Sequence, residues 1–421
     1  MSQGKHKLLK TPQGISSLKK RMPLIIAAAA LLLFSGLFLF LYFYNDTLRF
    51  HHMTEEFFAE AFRQDSLSLH YTLAEPSDYL QKPSPATLPL YSRQSRQEAA
   101  AALENQLLIL QEINPERLNQ QDRYTWSLLV PYLENELAGA RCEYYEDPLN
   151  PSSGMQSQLP VLLAEYSFRT KEDLEDYLEI LESVPAYLES LAQYEKEKAN
   201  AGLFMTESDA SNIVKQCDTI MDPDLLSAGE HFLQTTFQER AEALVREGLL
   251  TGEEMELYIA ENNRILTTLV APAYIALADA VFLLSGSGTH EGGLCELPSG
   301  GAYYLYLLRH NTGTSRTPEE IQVLLSDRFQ LCYQNLQALV ETYREQTGNT
   351  SISLQDIPAF PFQDAQEVLA DLQQRIQTDF PPLDALTKTL PTCRTKAVAE
   401  SMEEFTSPAF YLTPPIDDMG D

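Results

Sequence analysis

The chain has 421 residues, 44% of them hydrophobic, enough to bury a large core rather than remain disordered. Its formal charge is −30, and because residues 1–21 hold six lysines and arginines and no acidic residue, the remainder carries −36. A body so acidic repels phosphate backbones, which argues against nucleic acid as a partner.

In chain order, the basic stretch 1–21 reads as a cytoplasmic tail. It is followed at 22–44 by "MPLIIAAAALLLFSGLFLFLYFY", which has no charge and is long enough to cross a bilayer as one helix. Basic residues before the run and Asn45-Asp46 after it orient the anchor with the N-terminus inside and residues 45–421 outside the cytoplasm. The run ends without a small-x-small pattern, so an uncleaved signal anchor is expected, and no cysteine near its end suggests a lipid attachment.

Beyond the anchor the period is helical. Residues 171–200 align Leu174, Tyr177, Leu178, Leu181, Val184, Tyr187, Leu188, Leu191 and Tyr194 on one stripe, with Thr170 placed to cap it and Pro185 placed to kink it. Thr251 with Glu254, and Thr317 with Pro318 and Glu320, predict two further helix starts. The second carries the stripe Ile321, Leu324, Leu325, Cys332, Leu336, Leu339 and Tyr343 to about Gly348. Helical patterns also cover 47–64, 94–113, 119–142, 206–220, 228–247 and 364–379. The fold class expected is mainly α, an elongated multi-helix body in one domain. A few short strands are expected near 386–398 and 407–415, where proline interrupts β-like composition.

Chemistry is harder to find. The segment "GTHEGGLCELPSGGAYY" (288–304) holds the chain's one His-Glu pair, but a helical H-E-x-x-H zinc site needs a second histidine where Leu294 stands, and the surrounding glycines oppose a helix. No nucleophile elbow, Walker loop or dinucleotide fingerprint appears. Five cysteines (142, 217, 295, 332, 393) are widely spaced without a C-x-x-C pair, so they do not suggest a zinc site, and no disulfide pairing can be assigned. His51 and His52 read as membrane-proximal surface residues, and the acidic runs as the solvated faces of helices. The most suggestive feature is the Gly300-Gly301 turn, which delivers Tyr303 and Tyr304 to the start of a helix. Their hydroxyls could bind a peptide carbonyl or oxyanion, or both rings could pack in the core.

The stretches "YYEDPLNPSSGMQSQLPVLLAEYSF", "YLEILESVPAYLESLAQYEKEKANAGLFM", "GGLCELPSGGAYYLYLLRHNTGTSRTPEEI" and "SPAFYLTPPIDD", in that order, resemble the DUF885 family of bacterial proteins. The resemblance runs from about residue 50 to the end. It implies a mostly helical, exported or membrane-anchored protein of a group regarded as zinc metallopeptidases, whose C-terminal part carries His-Glu-x-x-Pro-Gly-His. Here Leu294, Cys295 and Glu296 follow where that motif needs proline, glycine and histidine, and Gln322 stands where many relatives carry histidine. No catalytic residue and no metal ligand is therefore assigned, and zinc is expected only if a downstream segment completes the protein. The resulting expectation is the N-terminal part of a membrane-anchored, extracytoplasmic metallopeptidase, inactive alone. The alternative is a non-catalytic helical module that binds a peptide or protein, with Tyr303 and Tyr304 as candidate contacts.

Overall fold

The structure is a computed structural model in which residues 14–289, 292–348, 361, 362, 364–379 and 411–418 are described. Those residues are mainly helical and contain no strand. The helices are α1 (Gly14–Ala61), α2 (Ser66–Thr72), α3 (Arg93–Glu112), α4 (Gln120–Ala140), α5 (Met155–Glu165), α6 (Lys171–Asn200) and α7 (Glu207–Ile220). There follow α8 (Pro223–Ala228), α9 (Phe232–Arg246), α10 (Gly252–Ile265), α11 (Ala271–Leu284), α12 (Gly300–Thr312), α13 (Pro318–Thr347) and α14 (Ala365–Asp379). Of the strands expected near the C-terminus, 386–398 and 407–410 lie outside the described residues, while 411–415 follow an irregular path. Proline at 414 and 415 denies that path the ladder hydrogen bonds a strand needs. The segment is instead held by Ile416 N–H donating to Thr72 O at 2.9 Å and by Asp417, whose carboxylate accepts from Ala74 N (2.7 Å) and Glu75 N (3.0 Å).

The chain divides into two compact units. One comprises Met1–Phe58 with Leu103–Glu134. Within it the expected span and the expected helix after it are one continuous helix, α1, long and apolar enough to cross a membrane, with Leu33 and Phe34 more than three-quarters exposed. Past the apolar run, buried Phe50 and Met53 replace exposed side chains. Asp46 accepts from Arg117 at 3.1 Å, Arg49 donates to Glu112 at 2.6 Å, and His51 lies 2.9 Å from Asp122.

The second unit comprises Ala59–Ala102 and Asn135–Asp421. Its core is built on α6, and all nine residues of the stripe read from the sequence are buried. The capping boxes of Thr170 with Asp173, Thr251 with Glu254 and Thr317 with Glu320 all form. α6 runs unbroken past Pro185. α10 continues through a π-helical turn, Leu266–Val270, into α11, and this apolar run packs on α6 and α7 through Ile265, Leu266, Val270, Tyr274, Leu277 and Val281. Although this run too is long and apolar enough to span a membrane, its buried stripe makes it a core helix.

α13 differs from α6. It starts and stops where the sequence places it, with Gly348 at φ 71° closing it, yet no residue along it is buried. Its amphipathic stripe is therefore a face that no described residue of the second unit buries.

Candidate functional site

α12 is anchored by a close backbone approach. A Cβ on Gly300 would sit 1.5 Å from the Leu294 carbonyl oxygen, so only glycine allows the turn that starts this helix. The Ser299 amide donates to the Tyr145 hydroxyl at 2.8 Å, which satisfies an N-terminal N–H by a distant side chain.

The two tyrosines delivered by this turn part company. Tyr303 is 6% exposed, with its ring 5.4 Å from those of Tyr145 and Tyr306. Burial, with Glu146 nearby, pushes its hydroxyl above the ordinary tyrosine range, so it remains a neutral phenol. Tyr306 and His310 share that side of α12. The Tyr306 hydroxyl donates to Glu136 Oε2 at 3.3 Å, and His310 Nδ1 lies 2.8 Å from Glu136 Oε1. Gly139, whose added Cβ would meet the Tyr306 ring at 2.6 Å, lets the end of α4 close on this side.

Tyr304, 48% exposed, points the other way. With Leu308 it forms one wall of an open groove of about 680 Å³, whose other wall is the first half of α13, including Ile321, Leu325 and Phe329. Gln322, Ser326 and Gln330 add uncharged hydrogen-bonding groups. Among the described residues no charged side chain lines it, and the side chains that do offer an apolar floor with amide and hydroxyl groups.

The sequence singled out Tyr303 and Tyr304 together, and the structure places only Tyr304 at a surface. It missed the α13 wall, because periodicity marks a face as apolar without saying what covers it. Gln322, noted for its departure from the family pattern, was the one available signal, and it lies in the same groove. His290 and Glu291 fall outside the described residues, as does Cys393. Among the described residues no group of three or more His, Cys, Asp or Glu side chains is gathered to hold a metal, and the four described cysteines are free thiols.

A second buried cluster stands on α6. Glu195 is fully buried with neither carboxylate oxygen hydrogen-bonded among the described residues, and burial pushes its pKa up to about 7. Lys198, 3% exposed, bonds instead to the Asp147 carboxylate and to the Glu146 carbonyl oxygen at 3.0 Å. Tyr194 donates to that carbonyl at 3.2 Å, so α6 fixes the loop that presents Tyr145.

Compared with solved structures, the chain is similar to one described as "the putative lipoprotein from Colwellia psychrerythraea". The TM-score is 0.69 at 15% identity, over 88% of this chain, and this chain spans 65% of the length of that one. No curated protein matches. The family described as "Bacterial protein of unknown function (DUF885)" matches residues 79–420, which include α12, α13 and the groove between them. The chain thus belongs to the DUF885 family.

Proposed function

We propose that the chain is the helical, N-terminal part of a membrane-anchored, extracytoplasmic metallopeptidase of the DUF885 type, and that as it stands it holds a polypeptide without cutting it. The α12–α13 groove carries this reading. Its apolar floor suits side chains, and Tyr304, Gln322, Ser326 and Gln330 can bond a peptide backbone. Gln322 occupies the position where the family resemblance expects histidine, which fits a cleft that keeps its walls and has lost its chemistry. Zinc would enter only with a further segment bearing His-Glu-x-x-Pro-Gly-His. The neighbour's description as a lipoprotein, together with the long apolar α1, supports placing the body outside the cytoplasm.

The non-catalytic reading, a peptide- or protein-binding module, shares this observation and is favoured by the uncharged lining. Both readings are tested by fluorescence anisotropy with a labelled, uncharged amphipathic helical peptide and the full chain in detergent micelles. Saturable binding weakened by Tyr304→Phe and by Leu325→Glu is expected. Binding indifferent to both, or none by a chain that is monomeric, would remove the groove from the function. A reporter fused after residue 60 tests the orientation, since activity of a cytoplasm-only reporter there contradicts it.

A further inference from the structure

On α13, Leu325, Phe329, Cys332, Leu336, Leu339 and Tyr343 recur at alternating spacings of four and three residues, the pattern of a coiled-coil seam. The seam is about 27 Å long at 1.5 Å per residue. Leu325, Phe329, Leu336 and Leu339 are each more than half exposed. A seam of this kind specifies a partner helix, because a helix with so wide an apolar stripe is stable only against a complementary one.

The spacing also constrains which helix. Reversed end to end about Gln334, the seam maps onto itself: Leu325 meets Tyr343, Phe329 meets Leu339, and Cys332 meets Leu336. This is the self-complementarity that a two-fold, isologous contact requires. Charge points the same way. Residues 329–340 contain no charged side chain, and among the positions flanking the seam (326, 328, 333, 335, 340 and 342) only Arg328 is charged. The rest of the chain beyond the basic tail sums to −36, so two copies would repel over most of their surface. Along this strip they can approach without opposed like charges.

Resting on the reading of the groove as a polypeptide-docking cleft, we infer that its occupant is a second copy of this chain, paired through antiparallel α13 helices centred on Gln334. The second half of each α13 then lies over the first half of the other, bringing Leu339 and Tyr343 of one copy to the wall formed by Leu325 and Phe329 of its partner. Each groove is filled by the helix that forms the other.

The test uses the full chain in detergent micelles. Leu336→Cys, oxidised under mild conditions, is expected to give a disulfide-linked dimer through the native Cys332, the disulfide joining one copy's Cys332 to its partner's introduced thiol. The dimer should disappear when Cys332→Ser is added. Leu325→Cys, which would meet the partner's Tyr343 and lie about three helical turns from the partner's Cys332, should not cross-link to it. Sedimentation should give the protein mass of two chains for wild type, with Leu325→Glu weakening the dimer at least about tenfold. A monomeric wild type, a Leu336→Cys cross-link that persists without Cys332, or a dimer untouched by Leu325→Glu each overturns the pairing. A monomer that nonetheless binds the labelled helical peptide in a Tyr304-dependent way would reject the second copy and keep the docking cleft, whereas a monomer that binds no peptide would reject both.

Discussion

Glu195 and Lys198, one turn apart on α6 and both buried, do not neutralise each other: Lys198 is committed to Asp147 and the Glu146 carbonyl, and Glu195 is left without a hydrogen bond among the described residues. Such a carboxyl is least costly when protonated. Its folded pKa of about 7 lies above the ordinary 4.5, so its stabilising contribution is complete below pH 4.5 and is lost as pH rises through 7. Glu195→Gln should flatten the fall in stability between pH 5 and 8, a change on the order of 3 kcal/mol at the upper end. Chemical denaturation of both proteins at the two pH values measures it. An unchanged pH dependence would show that Glu195 finds a partner when ionised.

His70 works in the opposite direction. Its ring stacks on Tyr166 at 3.6 Å, and Nε2 accepts the Ser167 N–H at 3.2 Å. Burial, reinforced by Arg169, lowers its pKa to about 3, so the ring beside Asp173 is neutral and the contact is not an ion pair. The stability it contributes is present above the ordinary 6.5 and is lost as pH falls toward 3. Proton NMR should show this imidazole neutral at pH 5, and a titration midpoint near 6.5 would contradict the buried environment.

Tyr303 and Tyr304 should separate in stability measurements. Truncating the core ring, Tyr303→Ala, is expected to cost about 3–5 kcal/mol, whereas Tyr304→Ala should cost less than about 1 kcal/mol and act on binding. Equal losses at the two positions would contradict their opposite placement on α12.

Gly300→Ala should destabilise the start of α12, since its Cβ would meet the Leu294 carbonyl backbone at 1.5 Å rather than a side chain able to move. A loss of at least about 1–3 kcal/mol, the range of an overpacked contact, is expected in thermal unfolding. Gly301→Ala, with nothing within 4 Å, is the control and should be near neutral.

What the sequence made legible was local. Thr170, Thr251 and Thr317 announce helix starts because a capping box is complete within four residues, and the α6 stripe is so regular that its burial follows from period alone. Contacts between distant residues were not legible. The α13 stripe looks no different from that of α6, because amphipathicity says that a face wants cover and is silent on whether this fold supplies it. Nothing in "YEKEKAN" marks its charged residues as buried, yet Glu195 and Lys198 lie inside, because the loop carrying Glu146 and Asp147 returns from 48 or more residues earlier to cover them. Adjacent Tyr303 and Tyr304 cannot be told apart without knowing that Tyr145 and Tyr306 wait on one side and α13 on the other.

The α12–α13 face as a docking surface is tested most directly by hydrogen exchange along α13 in the full chain. Amides between Leu325 and Tyr343 should be protected to a degree approaching those of α6, and should lose that protection in Leu325→Glu while α6 keeps its own. Fast exchange along α13 in the wild-type protein, equal to that of the variant, would show a helix that nothing covers and would contradict docking at this face.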